Sequence, residues 1–130
     1  MARLGELAAT GTLEVFCADR RIRLMTAFGS AARGDAAARD LDIAVSYEPG
    51  GGEDHYKVAS DLMRLLGTPD IDLVDLDNAG IILRDEALSG AKLLVERSEG
   101  LYADMQIAAS LERMDTAWLR QLHLELMAKP

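Results

Sequence analysis

Two short aliphatic segments carry acidic residues at positions where their own pattern calls for buried side chains. The segments are DLDIAVSY, residues 40–47, and DIDLVDL, residues 70–76. Both are typical of β-strands, in which side chains two positions apart share a face. Asp40 and Asp42 therefore project together. Two carboxylates held this close repel each other, so water, a basic partner or a divalent cation has to stabilise them.

The second segment repeats this arrangement with three acids, Asp70, Asp72 and Asp75. Carboxylates from two strands that meet at one edge of a sheet form the oxygen-rich site that Mg²⁺ prefers, and with a phosphate-bearing substrate they can hold two ions. A softer metal is not indicated, because His55 and His123 are far apart in sequence and are expected to be surface residues. The residues alone leave open which acid completes the site, and simple solvation of the acids is the alternative.

The residues that follow the first predicted strand, at 21–28, contain groups suited to a phosphate. Gly29 and Ser30 come directly after this strand and precede small residues that can begin a helix. Glycine lets a phosphate approach the backbone, and the serine hydroxyl and the free N–H groups of the next turn can bind its oxygens. Arg33 lies three residues after Ser30, and its guanidinium suits a phosphate or a carboxylate. An ordinary turn beside a solvated arginine is the alternative interpretation.

The remaining sequence alternates between predicted helices and strands. Helices are predicted at 4–20 with an interruption at Gly11, at 53–67, at 79–88 and at about 99–128, and a fourth strand at 91–96. Ile22 and Leu24 are expected on one face of the first strand. The second helix places Tyr56, Ala59, Met63 and Leu66 at helical spacing and ends at Gly67. The predicted fold class is α+β: one domain, 1–130, with a mixed sheet of about four strands, helices packed against it and a core at about 21–96.

Charge and cysteine content narrow the classes of function. The formal net charge of −8 argues against direct binding to nucleic acid or to an anionic membrane. It permits an anionic substrate if a metal ion bridges the charges. Cys17, the single cysteine, is expected to be a small buried residue. Because it cannot form a disulfide within the chain, it favours a reducing compartment. No apolar run approaches the ~20 residues that span a bilayer, and no signal-peptide pattern is seen, so a cytoplasmic location is expected.

Taken together, these motifs resemble a known family. GSAARGDAAARDLDIAV, residues 29–45, is similar to the signature of DNA polymerase β-type nucleotidyltransferases, in which Gly-Ser, a spacer and Asp-x-Asp precede a third carboxylate on a later strand. The form Gly-Ser-x-Ala-Arg-Gly and the short chain are similar to the minimal nucleotidyltransferases, including MntA-type antitoxins. The resemblance covers about 21–96. It implies a nucleotidyltransferase fold and Mg²⁺-dependent transfer of a nucleoside monophosphate from a nucleoside triphosphate, with ATP as the expected substrate.

The resemblance also implies roles for the residues around the Gly-Ser pair. Gly29 and Ser30 would hold the triphosphate, and Arg33 would contact phosphate or the acceptor. Arg39 departs from the pattern, because many relatives carry a small polar residue before the Asp-x-Asp motif. It would pair with a carboxylate or with the substrate.

For the acids, the resemblance implies that Asp40 and Asp42 bind both metal ions. The family's third carboxylate lies between hydrophobic residues on a strand, which Asp72 matches best, with Asp70 and Asp75 as alternatives. The implied reaction is in-line attack on the α-phosphorus with pyrophosphate leaving. Asp72 is also the candidate to accept the proton of the attacking hydroxyl.

The chain is too short to carry a separate acceptor-binding domain, so the acceptor is expected on a partner. The resemblance suggests that this partner is a HEPN-domain (HepT-type) toxin, modified on a tyrosine. There are two alternatives for the function of the chain: a non-catalytic antitoxin that only binds the toxin, or an enzyme that modifies a small-molecule hydroxyl such as that of an aminoglycoside. The last helix carries an apolar stripe of Leu111, Met114, Trp118, Leu122 and Leu126. The stripe is expected to pack on the chain's own sheet, with partner docking as the alternative. Leu119, Leu124 and Met127 lie off the stripe and leave apolar area for dimerisation or a partner.

Overall fold

The computed structural model describes residues 2–34 and 40–128. Along the chain the elements are α1 (Ala2–Ala9), α2 (Thr12–Asp19), β1 (Ile22–Phe28), α3 (Gly29–Ala32), β2 (Leu41–Tyr47), α4 (His55–Leu66), β3 (Ile71–Asp75), α5 (Ile81–Leu88), β4 (Lys92–Glu96) and α6 (Leu101–Ala128). Every predicted strand and helix is present, with ends that shift by one to three residues. The interpretation of Arg39 falls outside the described residues.

The strands of the described chain form one mixed sheet in the order β3-β2-β1-β4. β1 is antiparallel to both β2 and β4, whereas β2 and β3 are parallel. A parallel pair needs a long connection, which the segment containing α4 supplies. The predicted α+β class with a mixed four-stranded sheet is therefore confirmed.

Helices cover both faces of this sheet. On one face α1, α2 and α4 contribute core residues such as Leu13 and Leu62, and on the other α5 and α6 contribute Leu88 and Ala109. The Thr26 hydroxyl donates a hydrogen bond to the carbonyl of Ala87 at 2.9 Å and so joins β1 to α5. Because both faces are covered, β1 is buried along almost its whole length.

The prediction that Ile22 and Leu24 share a face of β1 is wrong. The register of β1 against β2 shifts between these two residues. A bulge of this kind adds one residue to a strand and reverses the alternation of its side chains. Ile22 consequently belongs to the core on the α1 and α2 side, and Leu24 to the core on the α5 and α6 side.

In α4 the helix is confirmed; of the residues singled out in the sequence, Met63 and Leu66 pack against the core, but its most buried positions are different ones. Val58 and Leu62 point into the core, whereas Tyr56 is 89% exposed. Residues two apart on a helix are separated by about 200° around its axis, so Tyr56 and Val58 point in opposite directions. Gly67 ends α4 with φ 73, as predicted, and Gly11 separates α1 from α2 with φ 80.

The expected packing of the last helix on its own sheet is wrong for the predicted stripe. Leu111, Met114, Trp118, Leu122 and Leu126 are between 44% and 70% exposed. α6 instead packs through a different face, on which Ala109 is buried and the Tyr102 hydroxyl donates to the carbonyls of Leu88 and Ala91. None of the described helices, α6 included, is long and apolar enough to cross a membrane.

Candidate active site

The end of β1 and the starts of β2 and β3 meet at one edge of the sheet. Phe28, the last residue of β1, pairs with Asp42 in the antiparallel ladder, and Asp42 pairs with Asp72 across the parallel strands. Paired residues on neighbouring strands project to the same face. That face is the one covered by α5 and α6, because Ala44 and Val74, two positions further along each strand, belong to its core.

Asp42 experiences the charges of two neighbouring acids. Burial raises the pKa of the Asp42 carboxyl, and the negative charges of Asp72 and then Asp40 raise it further. Asp40 is exposed and precedes β2 by one residue. Asp70 lies just before β3. The two acids that act on Asp42, Asp40 and Asp72, are both predicted metal ligands. The charges of Asp72 and Asp40 thus both act on Asp42.

Within residues 2–34 and 40–128, no three His, Cys, Asp or Glu side chains are already arranged as a metal site. The coupled acids nevertheless have the chemistry of a Mg²⁺ site, because carboxylate oxygens are the ligands that this cation prefers. A cation bound between Asp42 and Asp72 would also relieve the repulsion that raises the pKa of Asp42. The donor set therefore fits Mg²⁺.

Asp75 lies on the other face of β3. It is three positions from Asp72, and alternation along the strand places the two side chains on opposite faces. Its carboxylate accepts hydrogen bonds from the side-chain amide of Asn78 at 2.7 Å and from the backbone N–H of Asp77 at 3.0 Å. These contacts give Asp75 a role in the turn after β3, away from Asp42.

Gly29 brings the chain after β1 directly against Asp42. Its φ of 76 lies in the left-handed region, which side chains with a Cβ rarely adopt. A Cβ at this position would also overlap the Oδ2 atom of Asp42. Both the backbone conformation and the close approach therefore require glycine.

A cavity of about 540 Å³ opens at this edge of the sheet. It is lined by Phe28, Gly29, Ser30, Arg33, Asp42, Glu86 and Ser89. Four of the residues predicted from the sequence, Gly29, Ser30, Arg33 and Asp42, thus share one cavity. Asp40 and Asp72 are not part of its lining; both are exposed and are linked to it through Asp42.

The sequence interpretation missed two residues that reach the cavity: Glu86 of α5, and Ser89, which directly follows α5. Ser89 is held in place by a hydrogen bond from its hydroxyl to Oδ1 of Asp85 at 2.8 Å. Asp85 also accepts from Arg113 of α6 at 2.8 Å, so the end of α5 is fixed against α6. No local motif marks Glu86 or Ser89, because only the packing of α5 over β1 brings them to the site.

A mixed sheet that places a Gly-Ser turn against paired aspartates defines a nucleotidyltransferase fold. The chain belongs to the polymerase β-type nucleotidyltransferase family: the family profile described as "Polymerase beta, Nucleotidyltransferase" matches residues 12–100. The resemblance seen in the Gly-Ser and Asp-x-Asp motifs is confirmed by this match.

Solved structures agree with the assignment. A protein described as a minimal nucleotidyltransferase is 34% identical, with a TM-score of 0.55 over 68% of this chain and 92% of that chain. A chain of a toxin-antitoxin structure with AMP-PNP is 22% identical, with a TM-score of 0.72 over 91% and 98%. A chain of a complex between a tri-AMPylated Shewanella oneidensis HEPN toxin and an MNT antitoxin is 21% identical, with a TM-score of 0.68 over 95% and 98%. Comparison with curated proteins gave no match.

Proposed function

We propose that this chain transfers AMP from ATP, in a Mg²⁺-dependent reaction, to a tyrosine hydroxyl of a HEPN-domain toxin and so acts as its antitoxin. The observation that carries the proposal is the cavity shared by Gly29, Ser30, Arg33 and Asp42, with Asp72 paired to Asp42. Two structural neighbours support the choice of substrate and partner, since one contains AMP-PNP and the other an AMPylated HEPN toxin. The single, buried Cys17 fits a reducing, cytoplasmic location.

The residues after β1 would bind the triphosphate. The first N–H groups of a helix have no acceptor within the helix, and α3 begins at Gly29, beside the cavity. Its Ser30 hydroxyl adds a donor. Arg33 is exposed, lines the same cavity and would neutralise phosphate charge with its guanidinium.

Asp40, Asp42 and Asp72 would hold Mg²⁺, with two ions as the family resemblance implies. When bound, Mg²⁺ stabilises the negative charge on the phosphoryl oxygens. The acceptor hydroxyl would form a bond to the α-phosphorus while the bond to pyrophosphate breaks, and Asp72 would accept the hydroxyl proton. Arg33 and the Gly29–Ser30 turn would keep the leaving pyrophosphate oriented in line with the attack.

Two other functions make different predictions. A non-catalytic antitoxin would neutralise the toxin by contact alone, and would gain nothing from acids that repel each other across β2 and β3. An enzyme for a small-molecule hydroxyl, such as that of an aminoglycoside, would use the same cavity without a protein partner. The acidic Glu86 in the cavity lining suits a cationic acceptor of this kind.

The test is intact-mass analysis of the chain and the product of its neighbouring gene, which the proposal expects to be a HEPN-domain protein, incubated with each nucleoside triphosphate with and without Mg²⁺. The proposal expects AMP adducts on the HEPN protein with ATP and Mg²⁺, and their loss with Asp42→Asn and Asp72→Asn. Asp75→Asn is the matched control, because it removes a carboxylate from the opposite face of the same strand. Its activity should stay near that of the unchanged chain.

Three outcomes would redirect the assignment. Neutralisation of the toxin by Asp42→Asn at the level of the unchanged chain, with no adduct in either case, would establish the non-catalytic antitoxin. Adducts on an aminoglycoside but never on the HEPN protein would establish the small-molecule enzyme. Equal losses in Asp72→Asn and Asp75→Asn would remove Asp72 from its assigned role.

A further inference from the structure

The solvent-facing side of α6 carries a row of large apolar side chains. We call Ile107, Leu111, Met114, Trp118, Leu122 and Leu126 the α6 stripe; each is at least 44% exposed. They recur at steps of three and four residues, the spacing of one helix face. An exposed apolar row of this length, on a chain with an ordinary core of its own, is typical of an interaction site.

The chain's own sheet cannot cover the α6 stripe. α6 packs against the rest of the protein through Met105 and Ala109, which belong to the core shared with α5. At about 3.6 residues per turn, Leu111 lies roughly 200° around the axis from Ala109. The helix is therefore apolar on two opposite sides, of which only one is occupied.

The charges beside the α6 stripe have one sign. Asp104, Asp115 and Glu125 share its side of the helix, by the same rotation per residue. Of the basic residues within 101–128, Arg113 donates to Asp85 and Arg120 to Thr116, both on other sides of α6. Of the Asp, Glu and Arg side chains just named, only the three carboxylates border the α6 stripe.

This charge pattern disfavours a second copy of the chain as occupant. Side by side in parallel, two α6 helices would place each acid against itself. In an antiparallel pair centred near Met114, Asp104 of one copy would face Glu125 of the other. Like charges that face each other across an interface destabilise it by roughly several kcal/mol. Basic groups on a different partner would instead be attracted to these acids.

Near the start of the α6 stripe, a residue on the neighbouring side of the helix contacts the cavity lining. Ser110, next to Leu111, lies 3.4 Å from the hydroxyl of Ser89, which lines the cavity. From Ser110 to Leu126 the helix extends about 24 Å, at 1.5 Å per residue. A partner seated along the stripe would reach the cavity at one end and be held by apolar contacts over the rest.

From these observations we infer that the α6 stripe is the docking surface for the protein acceptor, whose contacting surface is apolar with basic residues at its border. The inference rests on the proposed function in one respect, that the acceptor is the HEPN-domain protein. Trp118 is the expected centre of binding, since tryptophan dominates the energetics of many interfaces.

Two methionines of α6 provide a matched test. Met114 lies in the stripe and Met127 outside it, about 140° around the helix, and both are 70% exposed. The dissociation constant for the HEPN-domain protein is measured by calorimetry for Met114→Ser, Met127→Ser, Trp118→Ala and Asp115→Lys. The inference expects at least tenfold weaker binding for Met114→Ser, Trp118→Ala and Asp115→Lys, and a change within twofold for Met127→Ser. Circular dichroism confirms that each variant keeps its helices.

Equal effects of the two methionine substitutions, or none from either, would overturn the inference. The inference would also be overturned if the isolated chain forms a dimer and Met114→Ser dissociates it, because a second copy would then cover the α6 stripe. Failure of the proposed function is distinguishable. If binding depends on the α6 stripe but no AMP is transferred, the proposed enzyme activity is refuted and the docking surface is retained. If AMP is transferred and Met114→Ser binds as tightly as the unchanged chain, the activity is retained and the docking surface is refuted.

Discussion

Asp42 of β2 and Asp72 of β3 occupy paired positions on parallel neighbouring strands. Their side chains therefore lie side by side on one face, and the negative charge of Asp72 disfavours the ionised form of Asp42. Because burial raises the pKa of Asp42 as well, the metal-free protein holds an electrostatically unfavourable pair at neutral pH. This strain is expected of a site that is complete only with a bound cation.

Asp42→Asn should therefore stabilise the metal-free protein while abolishing AMP transfer. A carboxyl whose pKa is raised by folding destabilises the folded state as the pH rises through that pKa. The gain of the variant should thus be largest at neutral pH, at about 0.5 kcal/mol, and shrink in acid. Urea unfolding at neutral and acidic pH measures it. A variant less stable than the unchanged chain at neutral pH would contradict the assigned repulsion.

The same substitution should reduce the effect of Mg²⁺ on stability. A ligand that binds only the folded state raises the unfolding free energy with its concentration. Thermal unfolding with increasing Mg²⁺ should show a rising midpoint for the unchanged chain and for Asp75→Asn, and a smaller rise for Asp42→Asn. An identical rise in all three would remove Asp42 from the metal site.

Gly29→Ala should be more damaging than Gly34→Ala. Both glycines have positive φ, 76 and 83, so both substitutions strain the backbone by about 1–2 kcal/mol. Only at Gly29 would the new Cβ also overlap the Asp42 carboxylate, while at Gly34 it would meet no atom of residues 2–34 or 40–128 within 4 Å. Urea unfolding of the two variants isolates this overlap, and equal losses of stability would show that Asp42 simply moves aside.

Asp85→Asn should weaken the packing of α5 on α6 and so lower the free energy of unfolding. The hydrogen bond from Arg113, and next that from Ser89, hold the pKa of the Asp85 carboxyl below its usual range. Loss of these charge-assisted contacts should cost about 1–3 kcal/mol at neutral pH. Since a lowered carboxyl pKa contributes stability that is lost as the pH falls through it, the difference between variant and unchanged chain should vanish in strong acid. Asp115→Asn, on the exposed side of α6, should change stability little at any pH.

Cys17 should be chemically inert in the folded protein. It is fully buried, and burial raises the pKa of its thiol to about 12. Because the thiolate is the reactive form, iodoacetamide at about pH 8 should leave the native chain unmodified and alkylate it fully in concentrated urea. Intact mass distinguishes the two. Rapid alkylation of the native protein would mean that α2 opens readily.

The sequence was sufficient where the signal is local. The apolar alternation of β2, the Gly29–Ser30 pair and the Asp-x-Asp motif each depend on neighbouring residues, and they placed the strands and most of the cavity lining correctly. The choice among the acids of β3 needed the strand register, which puts Asp72 beside Asp42 and turns Asp75 away. Register depends on contacts between segments that are distant in sequence.

Other features could not be read from local pattern for the same reason. Glu86 looks like any exposed acid of a helix until the packing of α5 over β1 carries it to the cavity. The bulge between Ile22 and Leu24 reverses an alternation that looks regular in the sequence. In α6, periodicity detects an apolar face but cannot tell which of two opposite faces the sheet will cover.

The parallel pairing of β2 and β3 also determines when the site comes into existence. Asp42 and Asp72 are joined through the whole crossover that contains α4, so no local segment of the chain holds both. Pairings that close such long loops form slowly compared with helices and hairpins. During synthesis, a chain that has emerged only through β2 already carries the Gly29–Ser30 turn but not the completed acid pair. If the chain acts as proposed, with Asp42 and Asp72 both required, AMP transfer would begin only after β3 has docked and the sheet is assembled.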